Sequence, residues 1–400
     1  MIEDIRYVRN KADIRDNTRP ETFGKRKAES VREFHRSFPT YHPTELYNLK
    51  ELSNIIGVGK LFIKDESTRF GLNAFKSLGA SYCIGRILLE KADVSEDELK
   101  FDRLLQDDIQ GLIGDMTLVT ATDGNHGRGV AWAADQLGIP AVVFMPKGSA
   151  TERLQNIQKL GARAEITDLN YDDTVRFAAA CAKNNGWTLV QDTAWDGYEK
   201  IPTWIMQGYT TLALEVTEQL GEEIPTHIIL QAGVGSMAGA LAAFFADHYR
   251  DKKPIIIIVE PDKADCIYRT AEVNDGTLQI VKGSLNTIMA GLACGEPCAI
   301  GWALLKRFAD FFISMPDYVA AKGMRILGNP IGDDVRIITG ESGAAGLGFV
   351  AEVMMKEKYD DIRREVSLGR DAKVLCISTE GATDEENYRR IVWDGIYSEE

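Results

Sequence analysis

Short apolar runs alternate with longer amphipathic segments along most of this chain. The runs are rich in β-branched residues and stop at turn-forming positions, as residues 141–145 do before Pro146. Strands buried on both faces of a parallel sheet have this continuous apolar character, and the segments between them have helical periodicity. The pattern predicts strands at residues 61–64, 116–121, 141–145, 164–167, 188–191, 226–230, 254–259, 335–338 and 374–378. It predicts helices at residues 78–90, 127–137, 151–160, 172–183, 236–249 and 343–355.

Nine predicted strands fit two sheets better than one, so we expect an α/β fold with largely parallel sheets. No fixed-period repeat, low-complexity tract or linker rich in Pro, Gly and Ser separates two halves of the chain. The two domains are therefore expected to interrupt each other in sequence. The first sixty residues, which include the basic run 25–27, are interpreted as an N-terminal arm.

Composition narrows the classes of function. The 400 residues carry a formal net charge of -14, which argues against a nucleic acid or an anionic membrane surface as a partner. The N-terminus lacks the apolar core of a secretory signal, and runs such as residues 255–259 are too short to span a bilayer. The six cysteines have no CxxC spacing, and no cysteine–histidine cluster completes a metal site. We therefore expect a cytoplasmic protein with reduced, mostly buried thiols and no metal.

The segment around Lys76 is the first candidate for chemistry. Residues 64–67, Lys-Asp-Glu-Ser, end a predicted strand, and residues 73–80, Asn-Ala-Phe-Lys-Ser-Leu-Gly-Ala, enter a predicted helix. A lysine at a helix start is close to the positive end of the helix dipole, which favours the neutral amine that attacks an aldehyde. The alternative is an ordinary surface lysine, and this segment alone does not decide between the two.

A second candidate is the run 120–129, Thr-Ala-Thr-Asp-Gly-Asn-His-Gly-Arg-Gly, which again passes from a strand into a helix. Its glycines allow backbone amides to approach an anion such as a substrate carboxylate. Asp123 in such a turn suggests a separate task, either proton transfer or binding of a cation, but a helix N-cap explains it equally well. His126 is equally consistent with a residue that packs the loop.

A third candidate is the glycine-rich run 231–239, Gln-Ala-Gly-Val-Gly-Ser-Met-Ala-Gly, which directly follows a predicted strand and suits a phosphate. Its glycine spacing departs by one residue from the dinucleotide-binding pattern, and Glu260 ends the next strand where that pattern has its acid. A nicotinamide-dependent dehydrogenase is therefore an alternative at this point.

Two further runs, 340–346 and 377–381, also follow strands, where the ligands of α/β sheets gather. Each is consistent with contact to a flat ring or with a capped turn.

Together and in this order, these segments resemble the fold-type-II family of pyridoxal-phosphate enzymes, which includes threonine dehydratases, serine racemases and cysteine synthases. The dehydrogenase is set aside, because it has no use for Phe75-Lys76 or the asparagine loop. The resemblance implies two three-layer αβα domains with largely parallel sheets. It also implies a large cofactor-binding domain of residues 1–87 and 198–400, a small mobile domain of residues 88–197, and a homodimer.

The resemblance also implies roles for individual positions. Lys76 corresponds to the lysine that forms a Schiff base with pyridoxal 5'-phosphate, and Thr379, with Ser378 as the second choice, to the hydroxyl that faces the pyridine nitrogen. The implied cofactor-binding residues are Phe75, Lys76, Asn125, Gly233, Val234, Gly235, Ser236, Met237, Glu341 and Thr379. The implied substrate-binding residues, which receive the carboxylate of an amino acid, are Thr122, Asp123, Gly124, Asn125 and His126.

One departure from the dehydratases narrows the function. Asp123 lies where dehydratases carry a serine or another small residue. The loop Asp-Gly-Asn-His-Gly-Arg-Gly is similar to the branch of the family that releases ammonia from diaminopropionate, as are the runs 65–67, 70–73, 191–195, 259–266 and 289–296. The similarity covers nearly the whole chain and is weakest before Glu33. It implies conversion of both D- and L-2,3-diaminopropionate to pyruvate and two molecules of ammonia.

Three residues are expected to carry this chemistry. Lys76 or Asp123 would remove the α-proton, depending on the face that presents it, and Asp123 or Asp192 would keep the leaving amine charged. Asp192 is also consistent with a simple cap at the end of a strand. A serine or threonine dehydratase shares every cofactor motif and is the main alternative. A non-catalytic cofactor-binding protein fits less well, because the lysine and both anion-binding loops are present.

Overall fold

The computed structural model describes residues 4–12, 20–122 and 124–398. Within these ranges, strands and helices alternate along most of the chain. The strands are β1 (Arg6–Arg9), β2 (Leu46–Asn48), β3 (Lys60–Asp65), β4 (Leu118–Ala121), β5 (Ala141–Met145), β6 (Arg163–Ile166), β7 (Thr188–Leu189), β8 (His227–Gln231), β9 (Ile255–Pro261), β10 (Phe311–Met315) and β11 (Lys373–Ser378).

The helices of the same ranges vary from one turn to six turns. They are α1 (Lys25–Arg36), α2 (Lys50–Ile56), α3 (Lys76–Lys91), α4 (Phe101–Leu104), α5 (Asp107–Gln110), α6 (Asn125–Leu137), α7 (Thr151–Gln158), α8 (Tyr171–Asn185), α9 (Lys200–Leu220), α10 (Ser236–Tyr249), α11 (Cys266–Val273), α12 (Ala299–Phe308), α13 (Asp317–Gly328), α14 (Glu341–Met355), α15 (Asp360–Glu365) and α16 (Glu385–Val392). Nowhere in the described ranges does a helix combine the length and the apolar character that crossing a membrane requires.

The strands form two sheets. The larger has the order β1-β10-β9-β8-β11-β3-β2, and the smaller has the order β6-β5-β4-β7. The five central strands of the larger sheet and all four of the smaller one are parallel, whereas β1 and β2 are antiparallel edge strands. In parallel sheets the carboxyl ends of the strands meet at one edge, so the loops after β3, β8 and β11 lie together.

Side chains of the larger sheet alternate between two hydrophobic cores. Along β8, Ile228 and Leu230 belong to one core and Ile229 to the other, and the same alternation holds along β9 and β11. Helices α1, α3, α9 and α10 cover the first face, and α2, α13, α14 and α15 cover the second. The first core continues into the smaller sheet through Val119 and Val143. The predicted α/β class with largely parallel sheets is therefore confirmed.

A buried ionic cluster fixes the chain just after β3. The Arg69 guanidinium donates to Glu66 at 2.8 and 2.9 Å and to Glu215 of α9 at 2.7 and 2.8 Å, and the Lys64 ammonium donates to Glu215 at 2.7 Å. These four side chains are at most 1% exposed, and two positive and two negative charges balance. Buried charges are tolerated only when they are paired and hydrogen-bonded, so the cluster fixes residues 66–71 and, through them, the start of α3.

Several predictions about elements were incomplete, and one was wrong. Residues 335–338 do not form a strand: Val335 and Ile338 are 43% exposed, and only Ile337 is buried, its amide donating to the Leu327 carbonyl at 3.0 Å. The prediction also missed the buried strand β10, the edge strands β1 and β2, and ten helices, which are α1, α2, α4, α5, α9, α11–α13, α15 and α16. The predicted N-terminal arm joins the larger sheet through β1 and β2. The proposed domain boundary after residue 87 falls inside α3 and stays a prediction, as does the boundary after residue 197.

Candidate active site

A cavity lies where the carboxyl ends of β3, β8 and β11 face the loop after β7. It encloses about 620 Å³, including space that opens to solvent. Its walls come from both sheets and from the loop that precedes α12. The lining residues are Phe75, Lys76, Asn125, Tyr171, Asp192, 231–238, Gly291, Leu292, Cys294, Ser342, Thr379 and Glu380.

The central contact of this cavity joins Lys76 and Asp192. Lys76 begins α3, Asp192 follows β7, and Lys76 Nζ lies 2.5 Å from Asp192 Oδ2. The Asp192 side chain is 4% exposed and that of Lys76 is 17% exposed. Burial by itself would raise the pKa of Asp192, but the positive charge of Lys76 and its hydrogen bond lower that pKa. Asp192 is therefore ionised near neutral pH.

His126 lies behind Asp192 and outside the lining of the cavity. Its Nε2 is 2.8 Å from the Val190 carbonyl, and its Nδ1 is 3.8 Å from Asp192 Oδ2. Complete burial lowers the pKa of His126, so the ring is neutral near pH 7 and Lys76 is the cation that acts on Asp192. Because a carbonyl only accepts, Nε2 carries the hydrogen in this tautomer. The structure thus places the His126 side chain against a predicted catalytic residue.

The other predicted substrate-binding residues belong to the turn between β4 and α6. The hydroxyl oxygen of Thr122 accepts hydrogen bonds from the amides of Gly124 at 2.9 Å and Gly127 at 3.0 Å, which shapes this turn. Gly124 has φ 147°, a conformation that residues with a side chain rarely adopt. Asn125 lines the cavity. Asp123 lies outside the described residues, so its predicted roles stay predictions.

The glycine-rich turn after β8 leads directly into α10. Gly235 has φ 91°, and α10 begins at Ser236, so the backbone amides of the turn are those of a helix N-terminus. A β-carbon at Gly233 would lie 3.2 Å from both the Cys294 sulfur and the Leu292 α-carbon, which shows how closely this backbone is packed. Such a turn fits a phosphate group. The Ser236 hydroxyl donates to the Asp192 carbonyl at 2.7 Å and so ties this turn to the catalytic candidate.

The structure distinguishes the two hydroxyl candidates at the end of β11. Thr379 lines the cavity and accepts a hydrogen bond from Gln231 Nε2 at 3.1 Å. Because the amide nitrogen donates, the Thr379 hydroxyl keeps its own hydrogen for another acceptor. The Ser378 hydroxyl instead pairs with the Thr339 hydroxyl at 3.0 Å, away from the cavity lining. Thr379, the residue predicted first to face the pyridine nitrogen, therefore presents a neutral hydroxyl and no charged group.

Glu341 is not among the residues that line this cavity. It faces a neighbouring polar cavity, where its carboxylate accepts from Asn387 Nδ2 at 2.5 Å and lies 3.8 Å from the Arg153 guanidinium. Burial raises the pKa of Glu341 to about 7, with Glu380 adding to the shift and Arg153 opposing it. Its neighbour Ser342 lines the cavity around Lys76, where Glu341 was predicted to lie.

Several lining residues were not predicted. Tyr171, Cys294 and Glu380 are contributed by α8, by the loop before α12 and by the end of β11. Glu380 directly follows Thr379, so its position at a strand end was a usable signal. Tyr171 and Cys294 carried no such signal in the sequence.

Comparisons with known proteins agree with this geometry. Residues 38–377 match the model of a family described as pyridoxal-phosphate dependent enzymes. The chain is 52% identical over 397 residues to the diaminopropionate ammonia-lyase of Escherichia coli strain K12, covering 97% of this chain and 98% of that protein.

Two crystal structures of the E. coli enzyme superpose on this chain over nearly its full length. The holo form has a TM-score of 0.92 at 49% identity and covers 100% of this chain and 99% of that chain. A complex with the aminoacrylate–pyridoxal-phosphate reaction intermediate has a TM-score of 0.91 at 50% identity and covers 99% of this chain and 98% of that chain.

Proposed function

The chain belongs to the pyridoxal-phosphate dependent enzymes and, within them, to the diaminopropionate ammonia-lyases, and on this premise we propose that it converts D- and L-2,3-diaminopropionate, with one water, to pyruvate and two molecules of ammonia. The supporting observation is the pairing of Lys76 with an ionised, buried carboxylate in a cavity that also presents a phosphate-binding turn.

The residues of the cavity fit pyridoxal 5'-phosphate. The amides of residues 233–237 at the start of α10 suit its phosphate, and glycine at position 233 avoids a close contact with Cys294 and Leu292. The Thr379 hydroxyl keeps a hydrogen for the ring nitrogen, and Asn125, which lines the cavity, is proposed to donate to the phenolic oxygen. When bound, the group supplies an aldehyde for the Lys76 amine and a conjugated ring that stabilises negative charge at the α-carbon of an amino acid.

Proton transfers are assigned to the side chains around this cavity. Lys76 takes the α-proton from one face, and Asp123 is proposed to take it from the other, which accounts for both enantiomers. The second amine of the substrate is a cation near neutral pH, and ammonia leaves readily only when the nitrogen is protonated. Asp192, ionised and at the cavity wall, is proposed to hold that leaving ammonium group through the attraction of opposite charges.

Three broader features are also proposed for this protein. They are a homodimer, a cytoplasmic location and closure of the smaller domain, residues 88–197, over the cofactor. The first and third are carried over from the family resemblance, and the second rests on scattered cysteines without a disulfide pattern. Size-exclusion chromatography with light scattering tests the dimer directly.

The proposed reaction is tested by keto-acid release from purified protein with D- and L-2,3-diaminopropionate, and with L-serine and L-threonine in parallel. Pyruvate and ammonia formed mainly from the diamino acids would support the lyase. Turnover mainly of the hydroxy amino acids would make the protein a serine or threonine dehydratase instead.

The cofactor assignment has its own test. Lys76→Ala should remove the visible absorption of the Schiff base, and turnover should fall with it. Lys91→Ala, at the exposed end of the same helix, is the matched control and should keep the spectrum of the wild type. An unchanged spectrum in Lys76→Ala would reject Lys76 as the residue that carries the cofactor.

A further inference from the structure

A buried carboxylate, Glu380, lies in the wall of the cofactor cavity beside Asn125. The Asn125 side-chain amide donates to Glu380 Oε2, and Glu380 is 1% exposed. Asn125 begins α6 of the smaller sheet, and Glu380 follows β11 of the larger one. The hydrogen bond therefore connects the two halves of the cavity wall at a position that both residues line.

Glu380 is held from several directions. Its Oε1 accepts from the Ser342 amide at 3.2 Å, and its carbonyl accepts from the Gly340 amide at 3.0 Å. An isolated β-bridge joins it to Ala74, two residues before Lys76. A β-carbon at Gly340 would lie 3.0 Å from the Glu380 side chain, so the surrounding backbone leaves this carboxylate little freedom. The position of the carboxylate is thus set by the frame that also carries Lys76.

A carboxylate accepts hydrogen bonds and does not donate them when ionised. Of the two orientations of the Asn125 amide, only the one with Nδ2 toward Glu380 makes a hydrogen bond, because the other would place Oδ1 against an acceptor. No lysine, arginine or histidine of the described ranges forms an ion pair with Glu380. The Asn125 amide is therefore a principal partner of this buried carboxylate, and hydrogen bonds to carboxylates are stronger than those between neutral groups.

We propose that Glu380 is a positioning residue that fixes the Asn125 amide with Nδ2 at the cavity wall, so that its second hydrogen is available to an oxygen of the cofactor. The inference rests on the proposed function, because it needs pyridoxal phosphate in this cavity. Glu380 acts through Asn125 and does not itself take part in the chemistry. It was absent from the sequence-based set of site residues.

A double-mutant cycle tests this link, with the apparent dissociation constant of the cofactor as the readout, measured by absorbance on reconstituted apo protein. Glu380→Ala and Asn125→Ala are each expected to raise that constant about tenfold, since a hydrogen bond to a charged group contributes about 1.5 kcal/mol or more. The double variant should be within about twofold of Asn125→Ala alone, because both changes remove the same interaction. Additive effects in the double variant would overturn the proposal.

A matched control uses Glu352, a buried carboxylate eleven residues after Glu341 on α14, about 16 Å farther along that helix. It pairs with Lys322 and Lys356 and does not line the cavity. Glu352→Ala combined with Asn125→Ala should give additive effects. If Glu380→Ala fails to fold, Glu380→Gln replaces it in the cycle. The glutamine has nearly the same shape as the glutamate, but its amide can both donate and accept, so it does not fix which end of the Asn125 amide faces it.

Exchanging donor and acceptor separates positioning from simple structural support. Asn125→Asp alone places two carboxylates together and should lower both the thermal stability of the apo protein and the cofactor affinity. Adding Glu380→Gln restores a donor–acceptor pair, so the apo melting temperature should recover. The cofactor affinity should stay at least about tenfold weaker, because position 125 then offers only acceptors. Recovery of both properties would overturn the proposal.

Cofactor binding by the wild-type protein distinguishes failure of the proposed function from failure of the role of Glu380. Failure of the wild-type protein to bind pyridoxal phosphate would reject the proposed function and, with it, the role of Glu380. Normal binding by the wild type with an additive Glu380–Asn125 cycle would reject only the role of Glu380.

Discussion

The Lys76 amine and the Asp192 carboxylate lie 2.5 Å apart, although one residue follows a strand of the larger sheet and the other a strand of the smaller sheet. Both side chains are largely buried, and Asp192 is ionised because the charge and the hydrogen bond of Lys76 lower its pKa. The pair therefore connects the two sheets through the groups proposed to handle protons. Any relative movement of the sheets would change the partner of each group.

Asp192→Asn is expected to keep the cofactor spectrum and to lower kcat by about 100-fold or more, the usual contribution of a positioned acid or base. The amide keeps the shape of the carboxylate but not its charge, so it cannot hold the leaving ammonium group in the same way. Keto-acid release at saturating substrate measures the effect. Asp196→Asn, at an exposed position four residues later, is the control and should retain wild-type kcat. An active Asp192→Asn variant would reduce Asp192 to a cap at the strand end.

Thr379→Val is expected to raise the apparent dissociation constant of pyridoxal phosphate about tenfold, because it removes the hydroxyl proposed to face the ring nitrogen. Thr379→Ser keeps the hydroxyl that accepts from Gln231 and should stay within about threefold of the wild type. Absorbance titration of the apo protein measures both. If Ser378→Ala weakened binding more than Thr379→Val does, the assignment would move to Ser378.

The pH dependence of stability should contain a contribution from Glu341. Its pKa is raised from 4.5 to about 7, so the folded state binds a proton more tightly than the unfolded state does. The group's contribution is fully present below about pH 4.5 and is lost as the pH rises to about 7, a change of about 3 kcal/mol. Glu341→Gln lacks this contribution and should gain about 2 kcal/mol of stability relative to the wild type between pH 5 and pH 7.5, because part of the change lies outside that range.

Urea unfolding of the apo protein at both pH values measures the Glu341 effect as a difference between variant and wild type, which cancels the titration of other groups. Glu357→Gln, at an exposed position after the end of α14, should follow the wild type at both pH values. Parallel pH curves for Glu341→Gln and the wild type would show that Glu341 is not held in its protonated form.

Gly129→Ala is expected to shift the start of α3 by a few tenths of an ångström and to weaken cofactor binding. A β-carbon there would lie 3.0 Å from the backbone of Lys76 and Ser77, closer than backbone atoms accommodate without a small shift. Gly114→Ala, where no atom lies within 4 Å of the added carbon, should bind the cofactor as the wild type does. Normal binding by Gly129→Ala would mean that α6 moves instead.

The sequence was sufficient to predict the smaller sheet, four of the seven strands of the larger sheet and many of the residues that line the cavity, because these depend on local patterns. Lys76, Asn125, residues 233–237 and Thr379 each follow a strand or begin a helix, and all of them line the cavity. The wrong strand at residues 335–338 has an apolar run like that of a strand, yet two of its apolar side chains face solvent. Short apolar runs do not by themselves distinguish strands from other segments.

What could not be predicted depends on contacts between distant residues. The pairing of Asn125 with Glu380 spans 255 positions, and no local periodicity encodes it. The same holds for His126, which the sequence left open between packing and substrate binding. In the structure it lies behind Asp192, because α6 and the loop after β7 meet there. Glu341 was expected at the cofactor, but the direction of the first turn of α14 places Ser342 there instead.

The backbone contacts between residues 73–75 and 379–381 have a consequence for the biogenesis of the protein. The Phe75 amide donates to the Thr379 carbonyl at 3.2 Å, and the Gly381 amide donates to the Asn73 carbonyl at 3.0 Å. Synthesis proceeds from the N-terminus, so Lys76 emerges about 300 residues before the segment that fixes it. The lysine loop cannot make these two backbone contacts until residues 379–381 have been translated. Nascent chains that are truncated before Thr379 should therefore retain pyridoxal phosphate less well than the full-length protein.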